Sequence, residues 1–189
     1  MTGSQMNYIV SSIHTLMLKF MTSAEIKAIQ APLKEQYRNS PETAVVILKA
    51  AGKLSAGISC KIDTGKKLVE AGLHPATGGN GFQACSGDLL LEALVACAGV
   101  TLRAVSTSIG IDIRDGEVRA EGALDFRGTL GVSRDAPVGF KSIKLSFLLD
   151  TDATEEQMES LAKLTERYCV VFQTLAKGVE VNSRFVRNK

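Results

Sequence analysis

Apolar positions recur at helical spacing most densely between Ser86 and Ser106. At the helical repeat Leu90, Ala93, Leu94, Cys97, Val100, Thr101 and Ala104 share one face, while Asp88, Glu92, Gly99, Arg103 and Ser106 fall opposite. Ser86-Gly87 offers an N-cap, with Asp88 as an acid in the first turn. A helix this apolar is expected to be buried. Because it is apolar nearly all round, one small sheet cannot cover it, and a second chain is expected to complete the cover.

The flanking pattern is that of an α+β chain. Ser23 opens a helical stretch (Ile26, Ile29, Leu33, Tyr37) that ends at Asn39-Ser40-Pro41, with Pro32 expected to kink or divide it. Ala44 to Ala50 is a β-branched run, and Gly57 to Asp63 alternates with Ile58, Cys60 and Ile62 on one face, so both read as antiparallel strands. Gly72 to Ser86 is a glycine-rich loop that contains His74 and Cys85 and delivers into the apolar helix. Beyond it, Ile111 to Ile113 and Glu117 to Phe126 flank Asp115-Gly116, a turn dipeptide, with Val118, Ala120, Leu124 and Phe126 alternating against Arg119, Glu121 and Asp125. A longer connection leads to a strand marked by Ile143, Leu145 and Phe147. Asp152 and Glu155 suggest a capping box for a long second helix (Met158, Leu161, Ala162, Thr165, Tyr168, Cys169, Phe172, Leu175) that stops at Gly178. Alternation from Val179 to Phe185 predicts a terminal strand. Residues 1–40 read as a leader with a short helix, and 41–189 as one domain.

Charge and composition exclude more than they assign. Twenty-two basic and 20 acidic residues leave a net charge of +2, which gives no electrostatic footprint for nucleic acid or an anionic membrane. The run from Leu89 to Val100 is interrupted by Glu92 and is short for a membrane span. The apolar leader has no basic region ahead of it, so a cytoplasmic protein is expected. Four cysteines (Cys60, Cys85, Cys97, Cys169) without CxxC spacing, and two histidines (His14, His74), predict neither a disulfide scaffold nor a metal site, and no cofactor motif is present. The Gly72 to Ser86 loop has no Gly-Lys-Ser/Thr ending, which excludes a P-loop. Cys97 alone has two readings. It is a small buried hydrophobe, or it is a reactive thiol whose pKa a cation or helix N-terminus must lower against its apolar wall.

The segment Ser86-Gly-Asp-Leu-Leu-Leu-Glu-Ala-Leu-Val-Ala-Cys97-Ala-Gly99-Val resembles the signature of the OsmC/Ohr family, in which a helix of the form P-E-x-L-L-x-A-x-x-x-C carries a reactive cysteine. Glu166-Arg-Tyr-Cys169-Val-Val-Phe-Gln-Thr-Leu-Ala-Lys-Gly-Val-Glu-Val181 resembles the family's C-terminal motif of cysteine, short helix and final strand. The resemblance implies an OsmC-like fold, with antiparallel sheets wrapped around a buried cysteine-bearing helix in an intertwined homodimer. It also implies reduction of organic hydroperoxides, with Cys97 as the attacking thiolate, Cys169 as the resolving thiol and a dithiol partner as reductant. Asp88 is the carboxylate nearest the family's motif glutamate, and Gly52-Lys53 stands where the peroxidase branch has Gly-Gly-Arg. These features align the chain with the general OsmC-like branch. Two further readings stay open: a dimeric binding or accessory protein with an apolar pocket between the helix and the Gly72 to Ser86 loop, and thiol hydrolysis with His74 as base.

Overall fold

The computed structural model describes residues 22–45, 47 and 69–187, and the backbone of 51–55, 59–63 and 68. The first helix, α1 (Ser23–Asn39), starts from a capping box in which Thr22 and Glu25 exchange hydrogen bonds. It runs unbroken through Pro32 and buries none of its residues. A 3-10 turn, Pro41–Ala44, occupies the start of the predicted Ala44 to Ala50 strand, and residues 46 and 48–50 lie outside the described residues. The paired strand comes later: β1 (Ala51–Ser55), β2 (Ser59–Asp63) and β3 (Leu68–Gly72) form an antiparallel meander, to which β4 (Ala84–Cys85) adds in parallel. The leader and the side chains of Ile58, Cys60 and Ile62 lie outside the described residues.

Between β3 and β4 the glycine-rich loop folds back tightly on itself. A Cβ at Gly79 would land on the backbone carbonyl of Leu73, so only glycine allows this approach. The chain then enters the long apolar helix α2 (Ser86–Ile109). Its N-cap is Cys85 rather than Ser86, with no side-chain cap bond, and Gly110 closes it in the left-handed region. At 24 residues the helix is longer than the apolar run suggested, and by length and composition it could cross a membrane. Here it lies against α1, against β5 (Asp115–Leu124), and against two later helices, α4 (Glu155–Tyr168) and α5 (Val170–Lys177).

The buried face of α2 is rotated from the predicted one. Leu94, Ala98, Leu102, Val105 and Ser106 are buried, whereas Val100 is 73% exposed and Leu90 is 37% exposed. The prediction centred the stripe on Cys97 because hydrophobicity alone cannot rank two apolar faces. The packing against α4 chose the Leu94–Leu102 side. Leu102, Val105, Ile111, Ile113 and Leu161 form the core, with Phe147, Leu149 and Met158 packed around them.

Asp115-Gly116 is not a turn. It begins β5, which pairs antiparallel with β6 (Phe140–Asp150), while Ile111 and Ile113 are buried outside any ladder. The guanidinium of Arg114 ties the start of β5 to Asp150 and Asp152, so Asp152 serves an ion pair rather than a helix cap. Val118, Ala120 and Leu124 point inward from β5, and Ile143, Leu145 and Phe147 from β6, as the alternation predicts. A single helical turn, α3 (Phe126–Thr129), opens the connection between them.

The capping box of α4 is Thr154 with Gln157. The predicted long helix is two helices: Cys169, with φ −75° and ψ 107°, is at once the C-cap of α4 and the N-cap of α5. After Gly178 the predicted terminal strand has no ladder partner among the described residues, and Val181 and Phe185 are 83% and 97% exposed.

Candidate functional site

The break at Cys169 is what builds the site. A continuous helix would leave the backbone amides of residues 170–172 donating to carbonyls of the preceding turn. The extended cap residue frees them instead. The amide of Cys169 still closes the last turn of α4 on the carbonyl of Thr165, at 2.9 Å, and the carbonyl of Cys169 accepts from Gln173 at 2.9 Å. The freed amides therefore point at the flank of α2 that carries Cys97.

Cys97 is half-buried, Cys169 is 1% exposed, and both are free thiols. The Cys97 sulfur accepts hydrogen bonds from the amides of Val171 and Val170, from the Cys169 thiol and from the Thr101 hydroxyl, one helical turn on. Burial alone pushes the Cys97 thiol up, and it is the largest single influence. The four hydrogen bonds together outweigh it and hold the thiol below its ordinary value. Cys169 goes the other way. Burial pushes it up, the amide of Phe172 lowers it in part, and the hydrogen bond and negative charge at Cys97 raise it further. The pair is thus split into a thiol inclined to ionise and a thiol inclined to keep its proton.

The groups that lower Cys97 are thus backbone amides at a helix N-terminus, the Cys169 thiol and one hydroxyl; of the two agents expected, a cation or a helix N-terminus, the fold brings the helix N-terminus. The signal was present but faint: Thr101 lies four residues after Cys97, and a β-branched Val170-Val171 pair follows a cysteine in an otherwise helical stretch.

Asp88 is not brought to the thiols. It is exposed in the first turn of α2, on the side away from Cys97, and lines a shallow groove with Leu91, Glu92, Val95, Ala96 and Ala120. His74 is also elsewhere. Its Nδ1 accepts from the amide of Ala76 at 3.0 Å, capping the Pro75–Thr77 turn, and its ring stacks on Phe126 at 5.0 Å. Cys85 is a half-buried free thiol at the N-cap of α2.

An apolar cavity of about 650 Å³ opens beside the thiol pair. It lies between α2, β6 and α5, not against the Gly72 to Ser86 loop. Leu94, Phe140, Ile143, Leu145, Phe147 and Phe172 form most of its wall, and Glu166 is the one charged residue among the described residues that line it.

Two thiols of opposite tendency are thus held between the central helix and a helix N-terminus of an α+β fold. The chain belongs to the OsmC-like protein family, whose model matches residues 78–184, more than half of its length. Solved structures share the fold. An OsmC-like protein from Mycoplasma pneumoniae superposes with a TM-score of 0.59 at 16% identity, covering 71% of this chain and 89% of its own. An organic hydroperoxide resistance protein from Elizabethkingia anophelis gives 0.57 at 17% identity, covering 71% and 93%. One from Legionella pneumophila gives 0.55 at 17% identity, covering 69% and 91%. No curated protein matches the sequence.

Proposed function

We propose that the protein reduces organic hydroperoxides through a two-cysteine cycle. The observation that carries this reading is the convergence of Cys97 and Cys169, with Cys97 held below and Cys169 above the ordinary thiol value. In the first step the Cys97 thiolate attacks the outer oxygen of the hydroperoxide. The O–O bond breaks, an S–O bond forms, and the alkoxide takes a proton to leave as an alcohol. Sulfur is oxidised by two electrons to the sulfenic acid. The Cys169 thiol then attacks that sulfur, water leaves, and a Cys97–Cys169 disulfide results. A dithiol reductant then gives two electrons by exchange, restoring both thiols and leaving as a disulfide itself. Contact between the two thiols favours fast resolution, which protects Cys97 from over-oxidation.

The working unit in this reading is a homodimer. Ala93, Ala96 and Val100 expose the Cys97 flank of α2, and Tyr168 and Val170 expose apolar surface next to it. A second copy is the simplest cover for an apolar strip that adjoins the site.

The test is intact-mass and thiol mapping after one equivalent of cumene hydroperoxide is added to the reduced protein. Loss of two hydrogens with a Cys97–Cys169 linkage is expected, and Cys97→Ser should consume no peroxide. Unchanged mass with the thiols still free, or full activity in Cys97→Ser, would sink the reading. The apolar cavity favours one alternative, a dimeric binding or accessory protein, because neither sulfur belongs to its wall. Hydrolysis with His74 as base has no support in the geometry, since its Nδ1 is engaged at Ala76.

A further inference from the structure

We infer that Asn80-Gly81 is a modification site, at which the side chain of Asn80 deamidates by attack of the next backbone amide. The reaction needs an exposed asparagine, an uncommitted backbone nitrogen after it, a following residue with no Cβ to block the approach, and a donor for the charge that gathers on the side-chain oxygen. The loop between β3 and β4 supplies all four. Asn80 and Gly81 are exposed, and the N–H of Gly81 takes part in no hydrogen bond among the described residues. Gly81 has φ +79°, a left-handed conformation that glycine adopts without strain. The amide of Phe82 donates to Asn80 Oδ1 at 3.0 Å. Negative charge gathers on that oxygen as Cγ is attacked, so the bond strengthens as the reaction proceeds.

The Gly81 nitrogen forms a bond to Asn80 Cγ and gives its proton to solvent. The Cγ–Nδ2 bond breaks, and ammonia leaves with a proton taken from solvent. Water then opens the resulting succinimide. Opening at the side-chain carbonyl leaves an ordinary aspartate, and opening at the backbone carbonyl leaves an isoaspartate, whose main chain runs through the side-chain methylene. No electrons are transferred, and water is the sole co-reactant.

Other asparagines of the chain lack one or more of these features. Asn182 is exposed, but Ser183 follows it, and its side-chain amide donates to Glu180. Asn39 is followed by Ser40, whose amide is committed to the carbonyl of Gln36 at 2.8 Å. The consequence at Asn80 is twofold. Residues 71–87 contain no Asp, Glu, Lys or Arg, so the new carboxylate is the first charge in that stretch, two residues from Phe82, which is 91% exposed. An isoaspartate also lengthens the main chain of a loop held at both ends, by Gly79 packed on the Leu73 carbonyl and by Ala84 and Cys85 paired with Ala71 and Gly72. The extra methylene therefore loosens β4. None of this depends on the peroxidase reading.

The experiment incubates the full-length reduced protein, folded and at mildly alkaline pH, and follows its peptides by mass spectrometry with chromatographic separation of the aspartate and isoaspartate forms. The peptide with Asn80 should gain the mass of an amide-to-acid exchange, in both forms, at least about tenfold faster than the peptide with Asn182. That comparison needs no variant. Asn80→Gln, which keeps the glycine, should leave residues 71–87 unmodified over the same time. Gly81→Ala, with circular dichroism matching the wild type, should slow Asn80 by at least about tenfold. Hydrogen exchange across Ala84–Cys85 should quicken in the isoaspartate fraction and not in Asn80→Asp, which adds the charge without the methylene. Equal rates at Asn80 and Asn182, reaction at Asn80 only after unfolding, or a wild-type rate in folded Gly81→Ala would each overturn the site. Unchanged exchange across β4 in the isoaspartate fraction would overturn its effect on the fold.

Discussion

At the scale of single residues the site rests on hydrogen bonds to one sulfur. Cys97 should alkylate with iodoacetamide along a pH profile whose midpoint lies below the ordinary thiol value of about 8.5, and Cys169 along one above it. Peptide-level mass spectrometry resolves the two. Thr101→Val removes a single donor and should move the Cys97 midpoint up, leaving the helix intact. An unmoved midpoint would mean that the amides of Val170 and Val171 and the Cys169 thiol suffice. The sign for stability follows from the same direction. A thiol held low when folded contributes stability above its unfolded value, and that contribution is lost as pH falls through the folded value. Both cysteines were legible in the sequence, because each sits in a motif that resembles a known one. Asp88 was chosen for alignment with a motif carboxylate, yet it lies on the face of α2 turned away from Cys97.

At the scale of elements, the join between α4 and α5 matters most. Leu161 is 1% exposed and pins α4 to the core, so Leu161→Ala should cost about 2–5 kcal/mol in urea unfolding. Thr165, one turn before Cys169, is 2% exposed, and its Oγ1 has no hydrogen-bond partner among the described residues. Replacing it by the isosteric Val removes that unsatisfied group, so Thr165→Val should be neutral or stabilising by about 1 kcal/mol in the same assay. A large loss there would show that the hydroxyl has a partner in solution. Periodicity found both main helices and the β5–β6 alternation but not the interruption at Cys169. Helical spacing continues through it (Leu161, Thr165, Cys169, Phe172), so no breaker residue announces the change of direction.

At the scale of the molecule, the described residues of the single chain leave Ala93, Ala96 and Val100 on the Cys97 flank of α2, and the segment after Gly178, exposed. Sedimentation velocity should give twice the chain mass, and Val100→Asp should shift the protein toward the monomer. Val100 is 73% exposed within one chain, so the charge should spare the fold of the protomer. A monomer in the wild type would refute the dimer. What the sequence determined by itself was local: where the apolar periods lie, that strands and helices mix in one α+β chain, and which two thiols carry family-like surroundings. Those properties depend on neighbours within a turn or two. Only the tertiary structure decided which face of an almost uniformly apolar helix is buried, because packing against α4 and the β5–β6 pair breaks a tie that hydrophobicity leaves open. The source of the force on Cys97 was decided there too, since amides of residues 170 and 171 reach a sulfur on another helix only once the chain has folded back.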